Sequence, residues 1–178
     1  MSSKPAVISV IGSLNVDLVT RTPRVPVGGE TLTAESFSIG WGGKGANQAV
    51  ACARLSRTSK QASLGEKSDV EVRMVGAVGN DEFHAAFLKA LQEDGLNTER
   101  VEILEGKKTG VAVITVETGS GENRIMFCPG ANYDVQAKDL VDDDAGVALF
   151  QLELPLDVVR TQSSSPLQLM LFRRLELF

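Results

Sequence analysis

Short apolar runs that alternate with helical patterns constrain the fold of this chain more than any other feature. Runs rich in β-branched residues at 7–11, 72–78 and 147–152 predict buried strands. Helical patterns at 45–55 and 81–93 lie between them. Because such alternation is typical of strands joined by crossover helices, we predict an α/β fold built on a mostly parallel sheet.

A second group of strands is predicted beside this sheet. Residues 111–118 and 123–128 flank the sequence Gly-Ser-Gly-Glu, which is typical of a β-hairpin. Residues 31–39 alternate loosely and predict a small exposed ribbon. The polar stretch 56–69 predicts a surface loop. These segments indicate a small β accessory to the main sheet.

Charge and composition exclude several classes of function. The chain carries 18 basic and 23 acidic side chains and a net charge of −5, which argues against a nucleic-acid or anionic-membrane surface. No apolar run in the sequence, including 147–150, approaches the roughly 20 residues that span a bilayer. The amino terminus does not have the pattern of a signal peptide. We therefore expect a cytoplasmic protein, with the nucleus as an additional location.

The residues that most often carry nucleophilic or redox chemistry are few. Cys52 and Cys128 form no ligand cluster, and we expect both to be reduced core thiols. The one histidine, His84, lies within a predicted helix, and we expect no catalytic role for it.

The glycine cluster at 40–45 matches the G-x-G-x-x-G fingerprint of dinucleotide-binding folds, but its surroundings do not. The preceding residues 36–39 are too few and too polar for a buried strand, and the acids at the right distance lie before the next strand rather than after it. A Walker A loop is excluded because Gly45, rather than Ser or Thr, follows Lys44.

The glycines suit a hinge better. Gly42 and Gly43 let the backbone adopt positive φ and approach a ligand closely, between the ribbon and the following helix. Lys44 and Asn47 then lie in the first turn of that helix, where Asn47 offers a donor and an acceptor to a sugar hydroxyl. The alternative is an ordinary helix-entry loop with a solvated lysine.

Polar residues also follow two of the predicted strands. Asn15 and Asp17 come after the first strand, and Glu153 follows the strand at 147–152. Ligands of open α/β sheets bind at the carboxyl ends of strands, where a carboxylate can accept hydrogen bonds from two hydroxyls. A single Asp at such a position more often forms a turn or a helix cap, but these two clusters and the glycine-rich loop together favour a polyol site.

Several motifs together resemble the ribokinase branch of the PfkB carbohydrate kinase family. The resemblance covers roughly residues 7–159, and GGKGANQA is its most specific string. The matching strings are GSLNVD at 12–17, PVGGE at 26–30, GGKGANQA at 42–49, VGAVGND at 75–81, TGVA at 109–112, GAN at 130–132 and QLE at 151–153.

The resemblance implies a ribokinase-like doubly wound sheet, incomplete in this chain, with a small β lid at about residues 17–45 and 109–130. The implied reaction is transfer of the ATP γ-phosphoryl group to the 5-hydroxyl of D-ribose, with Mg²⁺ and K⁺, in ribose breakdown. The lid would pair two copies into a homodimer, and Gly42 and Gly43 would be its hinge. The implied ribose contacts are Asn15, Asp17, Gly43, Lys44, Asn47 and Glu153.

The sequence departs from the family after the QLE string. It contains no GAGD string, whose aspartate is the family's catalytic base, and its nearest counterpart, residues 144–146, lacks that aspartate. We therefore expect a chain without a catalytic residue or metal site of its own, without the ATP site, and inactive alone. Residues 1–159 are interpreted as the amino-terminal part of a ribokinase-like domain. Residues 160–178, after about Val159, are interpreted as a divergent tail outside the native fold.

Two alternatives remain open. One is a related PfkB-family kinase for another sugar or a nucleoside. The other is a non-catalytic fragment that binds sugar or pairs with another lid.

Overall fold

Two β-sheets organise the computed structural model, which describes residues 6–65, 68–136, 140–162 and 169–171. The strands are β1 (Ala6–Ile11), β2 (Asn15–Thr22), β3 (Ser36–Gly42), β4 (Val70–Gly79), β5 (Asn97–Leu104), β6 (Gly110–Glu117), β7 (Asn123–Cys128), β8 (Val147–Phe150) and β9 (Leu169–Leu171). The α-helices are α1 (Lys44–Leu55), α2 (Ser59–Leu64), α3 (His84–Glu93) and α4 (Leu156–Gln162), and a 3₁₀ helix spans Gly130–Asp134.

The larger sheet is parallel throughout and is packed on both faces. Its strand order is β5-β4-β1-β8-β9. On one face Val10 and Met74 pack against Phe87 of α3 and the alanines of α1. On the other face Ile11 and Phe150 pack against α4 and the 3₁₀ helix. Parallel strands covered on both faces are apolar almost throughout, which is why these runs were recognisable in the sequence. The predicted doubly wound α/β class is confirmed.

The smaller sheet has the order β3-β2-β6-β7, and we call it the lid sheet. Strands β2 and β6 are parallel, while β3 and β7 are antiparallel neighbours on the outside. Every residue of β7 is exposed, and most of β3 is exposed as well. The predicted hairpin therefore forms, and it lies at one edge of this sheet.

Several local predictions were wrong in the lid sheet. The ribbon predicted at 31–39 begins only at Ser36, and it continues through Gly40 and Gly42 rather than ending before the glycines. Asn15 and Asp17, which were placed only after the first strand, lie in strand β2, and this strand was not predicted. Asn and Asp are depleted in strands, so their presence masked a strand whose pairing partners come from distant segments.

Two further segments were misjudged in the larger sheet and its connections. Strand β5 was not predicted, because five of its eight residues are polar. The predicted loop at 56–69 contains the short helix α2.

Part of the predicted tail lies outside the described residues. Residues 163–168 and 172–178 are not among them, whereas Leu169–Leu171 pairs in parallel with β8 at the sheet edge. The interpretation of 160–178 as a tail outside the native fold stays a prediction. Within the described ranges, no helix combines the length and apolarity needed to cross a bilayer.

Candidate functional site

The candidate site lies where the lid sheet joins the larger sheet. Asn15, the first residue of β2, pairs with Gly42 on one side and with Gly110 on the other. These three residues are the points at which β2, β3 and β6 enter or leave the lid sheet. The junction therefore lies beside the carboxyl end of β1, where ligands of open parallel sheets bind.

Two glycines allow the chain segments to approach closely at this junction. Gly43 has φ of 91°, and a Cβ there would lie 2.6 Å from the Ser13 carbonyl oxygen and 2.7 Å from the Asn15 nitrogen. A side chain at Gly42 would overlap the carboxylate of Asp17. The absence of both side chains is what brings α1, the β1–β2 connection and the Asp17 carboxylate together.

Glu153 is held by two residues from distant parts of the chain. Its Oε1 lies 2.6 Å from Lys44 Nζ, and its Oε2 accepts a hydrogen bond of 2.8 Å from Ser13 Oγ. Ser13 Oγ also lies 3.2 Å from Gln151 Oε1 and accepts a weak bond from the Gly45 amide at 3.4 Å. The carboxylate of Glu153 is therefore fixed in direction before any ligand binds.

The carboxyl group of Asp17 has a raised pKa. Burial raises the pKa of its half-buried carboxyl above the ordinary value, and the negative charge of Glu153 raises it further. Two carboxylates thus act on the same small region. Such a region disfavours anions and favours a neutral ligand that donates hydrogen bonds, such as a polyol.

Asn15 is buried, with 4% of its surface exposed. Its Oδ1 accepts a hydrogen bond of 2.8 Å from Nδ2 of Asn132, which lies in the 3₁₀ helix after β7. The sequence had pointed to Asn132 only as part of the GAN string. Ser13 and Gln151 lie in the GSLNVD and QLE strings, but no local pattern predicts that Ser13 contacts both Gln151 and Glu153.

Asn47 lies apart from the carboxylates, although it belongs to the same helix as Lys44. It follows Lys44 by three positions, so both are on one face of α1. Among the described residues, Asn47 borders a cavity of about 290 Å³ together with Trp41, Arg54 and Asp94. The structure therefore brings Asn15, Asp17, Gly43, Lys44 and Glu153 to the junction, whereas Asn47 borders a separate cavity between α1 and α3.

The cysteines and the histidine lie outside this site. Both cysteines are free thiols, but Cys128 is exposed, so the expectation of two core thiols was wrong for it. It is the last residue of β7, an edge strand in which every residue is exposed. Burial raises the pKa of Cys52. His84 Nδ1 lies 2.6 Å from the Asp81 carbonyl oxygen at the start of α3.

Comparison with known proteins places the chain among sugar kinases. The family model described as "pfkB family carbohydrate kinase" matches residues 6–156. A ribokinase of Schizosaccharomyces pombe is 45% identical over 159 residues, which are 85% of this chain and 47% of that protein. A ribokinase of Lactococcus lactis is 42% identical over 153 residues, 83% of this chain and 46% of that protein. A deoxyribokinase of Salmonella typhimurium is 39% identical over 157 residues, 85% of this chain and 47% of that protein.

Solved structures agree with these relatives. An Arabidopsis thaliana ribokinase complexed with ribose and ATP matches with a TM-score of 0.74 and 27% identity, over 95% of this chain and 53% of that chain. The chain therefore spans about half the length of the proteins that it matches.

Proposed function

The chain belongs to the pfkB family of carbohydrate kinases, and on that premise we propose that its site binds D-ribose, the acceptor of a phosphoryl group from ATP in ribokinase-type catalysis. The observation that carries this proposal is the meeting of Asp17, Lys44 and Glu153 at the lid junction, although Lys44 and Glu153 are 109 positions apart. A site that combines carboxylate acceptors with an amine donor suits a neutral polyhydroxylated ligand.

The side chains divide the recognition of a pentose between them. The Asp17 carboxylate accepts hydrogen bonds from two neighbouring hydroxyls, and Glu153 accepts from a third. The Lys44 amine donates to a ring or hydroxyl oxygen, and sharing it with the sugar weakens its ion pair with Glu153. Asn47, one helical turn after Lys44, would offer one donor and one acceptor to a sugar that extends along α1. A sugar hydroxyl that hydrogen-bonds to a buried carboxylate contributes more to the binding free energy than one that bonds to an exposed carboxylate. The reason is that a buried charge without a partner is costly.

The glycine pair supports a lid that moves. Gly42 ends strand β3 and Gly43 precedes α1 in a conformation with φ of 91°, so a small change of these two residues reorients β3 over the site. A closed lid excludes water, which would otherwise compete with the sugar hydroxyl for the phosphoryl group.

The nucleotide side of the reaction calls for a separate proposal. The family resemblance implies ATP with Mg²⁺ and K⁺, and ATP would supply the phosphoryl group. Among the described residues, no group of three or more His, Cys, Asp or Glu side chains could hold a metal ion, and the 178-residue sequence contains no GAGD string. No step of the transfer is therefore assigned to the described residues. We propose that these 178 residues alone bind sugar without phosphorylating it.

The exposed faces of the lid sheet support pairing with a second copy of the lid. Ile39 of β3 and Ile125, Met126 and Phe127 of β7 are 40–66% exposed. Apolar edge strands of this kind are unstable in water unless they are covered. We propose a homodimer in which the lid sheets cover one another.

A related sugar specificity is the second candidate, and the similarity to a deoxyribokinase favours it. D-Ribose and 2-deoxy-D-ribose differ by one hydroxyl, so a site that uses its carboxylates on the 2-hydroxyl discriminates strongly between them. A nucleoside kinase, or a purely sugar-binding or dimerising fragment, remains the broader alternative.

Calorimetric titration of the 178-residue chain tests the proposal. We expect D-ribose to bind, 2-deoxy-D-ribose to bind more weakly, and Asp17→Asn to lower the ribose affinity at least tenfold. Asp69→Asn is the matched control, since Asp69 lies at the amino end of β4, and it should leave the affinity unchanged. Absence of ribose binding, or preference for the deoxy sugar, would refute the assignment of ribose.

A coupled assay for ADP release tests the second proposal. We expect no ribose-dependent signal from these 178 residues. ATP-dependent turnover that Asp17→Ala abolishes would contradict it.

A further inference from the structure

Asn132 has its side chain completely buried at the lid junction. Its exposed fraction is 0%, although its amide group carries two donors and one acceptor. A buried amide is tolerated only when these groups are paired. The structure pairs the oxygen with one donor and places three acceptors around the two N–H groups, so one N–H is shared between two acceptors; three of the four partner atoms belong to the backbone.

The backbone partners determine which way the Asn132 amide points. Its Oδ1 accepts a hydrogen bond of 2.8 Å from the Leu14 amide, and its Nδ2 donates to the Leu14 and Pro129 carbonyl oxygens at 3.0 and 2.9 Å. If the Asn132 amide were rotated by half a turn, its N–H groups would face the Leu14 N–H, and its oxygen would face the carbonyl oxygens of Leu14 and Pro129. Because backbone groups cannot exchange donor for acceptor, only one orientation is possible.

This orientation is passed on to Asn15. The Nδ2 of Asn132 can only donate, so Asn15 must present its Oδ1, and the two atoms are 2.8 Å apart. No described residue accepts a hydrogen bond from Asn15 Nδ2, and this atom is not one of the two buried side-chain atoms that lack a partner. The Asn15 N–H groups therefore reach solvent at the site. Asn15 and Asp17 are two positions apart on β2 and lie on the same face of that strand.

We propose that Asn132 is a positioning residue that makes Asn15 a hydrogen-bond donor toward the ligand. With Asn15 donating and Asp17 accepting, the pair recognises a hydroxyl group, which can accept from one and donate to the other. An ether oxygen or a ketone satisfies Asn15 only, and an ammonium satisfies Asp17 only. This inference rests on the proposed function, because it assumes that the ligand in this site is a sugar.

Asn132 also has a position that suits this task. Its partners Leu14 and Pro129 lie on the two connections by which the chain enters the lid sheet through β2 and leaves it after β7. Gly110, where β6 begins, has no room for a Cβ because the Asn132 and Asn15 amides occupy that space. The amide orientation is thus set by the same contacts that hold the lid sheet to the larger sheet.

A double-mutant cycle on ribose affinity tests the inference. We expect Asn132→Ala to weaken ribose binding about tenfold, as expected for one lost hydrogen bond to a buried group. In an Asn15→Ala background, the same change should alter the affinity less than twofold, because its effect passes through Asn15. Thr98→Val is the control: it removes the partly buried hydrogen bond that Thr98 accepts from Gln92 at the opposite end of the sheet, and it should leave the affinity unchanged. Equal losses in both backgrounds would contradict the inference.

A measurement without ligand separates this inference from the proposed function and from misfolding of variants. In the NMR spectrum of the unaltered chain, the side-chain NH₂ protons of Asn132 should exchange with solvent far more slowly than those of Asn15. If the Asn15 protons are equally protected, the inference is wrong whether or not ribose binds. If ribose does not bind but the exchange differs as expected, the proposed function fails for this chain while the amide orientation stands.

Discussion

Lys44 and Glu153 form an ion pair, with 2.6 Å between Nζ and Oε1, although they are 109 positions apart in the chain. The pair joins the first turn of α1 to the connection after β8, and Ser13 holds the second oxygen of Glu153. Lys44 is 63% exposed and Glu153 is 23% exposed, so the pair lies at the opening of the site. A ligand that hydrogen-bonds to both groups competes with this ion pair directly.

Removing the Glu153 charge is expected to lower the pKa of Asp17. The negative charge of Glu153 is one of the two causes that raise this pKa, after burial. In Glu153→Gln that charge is lost, and the freed Lys44 amine acts in the same direction. The carboxyl carbon shift of Asp17, followed by NMR titration, measures the change. Glu99→Gln, on β5, is the control, and an unchanged Asp17 pKa in Glu153→Gln would rule out the coupling.

The charged carboxylate of Asp17 is expected to lower the free energy of unfolding at neutral pH, although the site needs it to bind sugar. Its pKa is raised in the folded chain, so the folded state binds its proton more tightly than the unfolded state. The protonated form is stabilised below the ordinary aspartate pKa, and this contribution is lost as the pH rises through the raised value. Asp17→Asn should therefore be more stable than the unaltered chain at pH 7, and this difference should shrink below the ordinary aspartate pKa. Urea unfolding at both pH values measures it; a less stable Asp17→Asn at pH 7 would contradict the prediction.

A methyl group at Gly42 is expected to disturb the site locally. A Cβ there would overlap the Asp17 carboxylate, which must then move away from its place on β2. We expect Gly42→Ala to lower the free energy of unfolding by about 1–3 kcal/mol, as overpacking does, and to weaken ribose binding. Gly28→Ala is the matched control, because a Cβ at Gly28 meets nothing within 4 Å. Thermal unfolding and calorimetry measure both effects, and equal behaviour of the two variants would refute the contact.

Charges on the outer strand of the lid sheet are expected to prevent dimerisation. Ile125 and Phe127 are exposed and lie two positions apart on β7, so both are on one face. Ala112 pairs with Asp17 on one side and with Phe127 on the other, so the side chains of Phe127 and Asp17 lie on the same face of the lid sheet. We expect Ile125→Lys with Phe127→Lys to turn a dimer into a monomer in analytical ultracentrifugation. Leu64→Lys, an exposed apolar position on α2, should leave the mass unchanged. An unaltered chain that is monomeric at all concentrations would refute the lid dimer.

Local sequence patterns predicted a large part of the fold. The apolar runs that became β1, β4 and β8 are buried on both faces, so their periodicity survives in the sequence. The hairpin of β6 and β7 was recognisable because its turn is local. Strands β2 and β5 were missed because their polar residues are tolerated only through pairing with distant segments.

The sequence by itself determined the α/β class and the glycine-rich entry to α1, along with most of the residue types that a sugar site needs. Only the tertiary structure decided that Lys44 meets Glu153, that Gly42 lies against Asp17, and that Asn132 fixes the direction of the Asn15 amide. The physical reason is the range of the interactions. Periodicity and turn chemistry act between neighbours in the chain, whereas these contacts form only after two sheets have packed and placed residues more than 20 positions apart within hydrogen-bond distance.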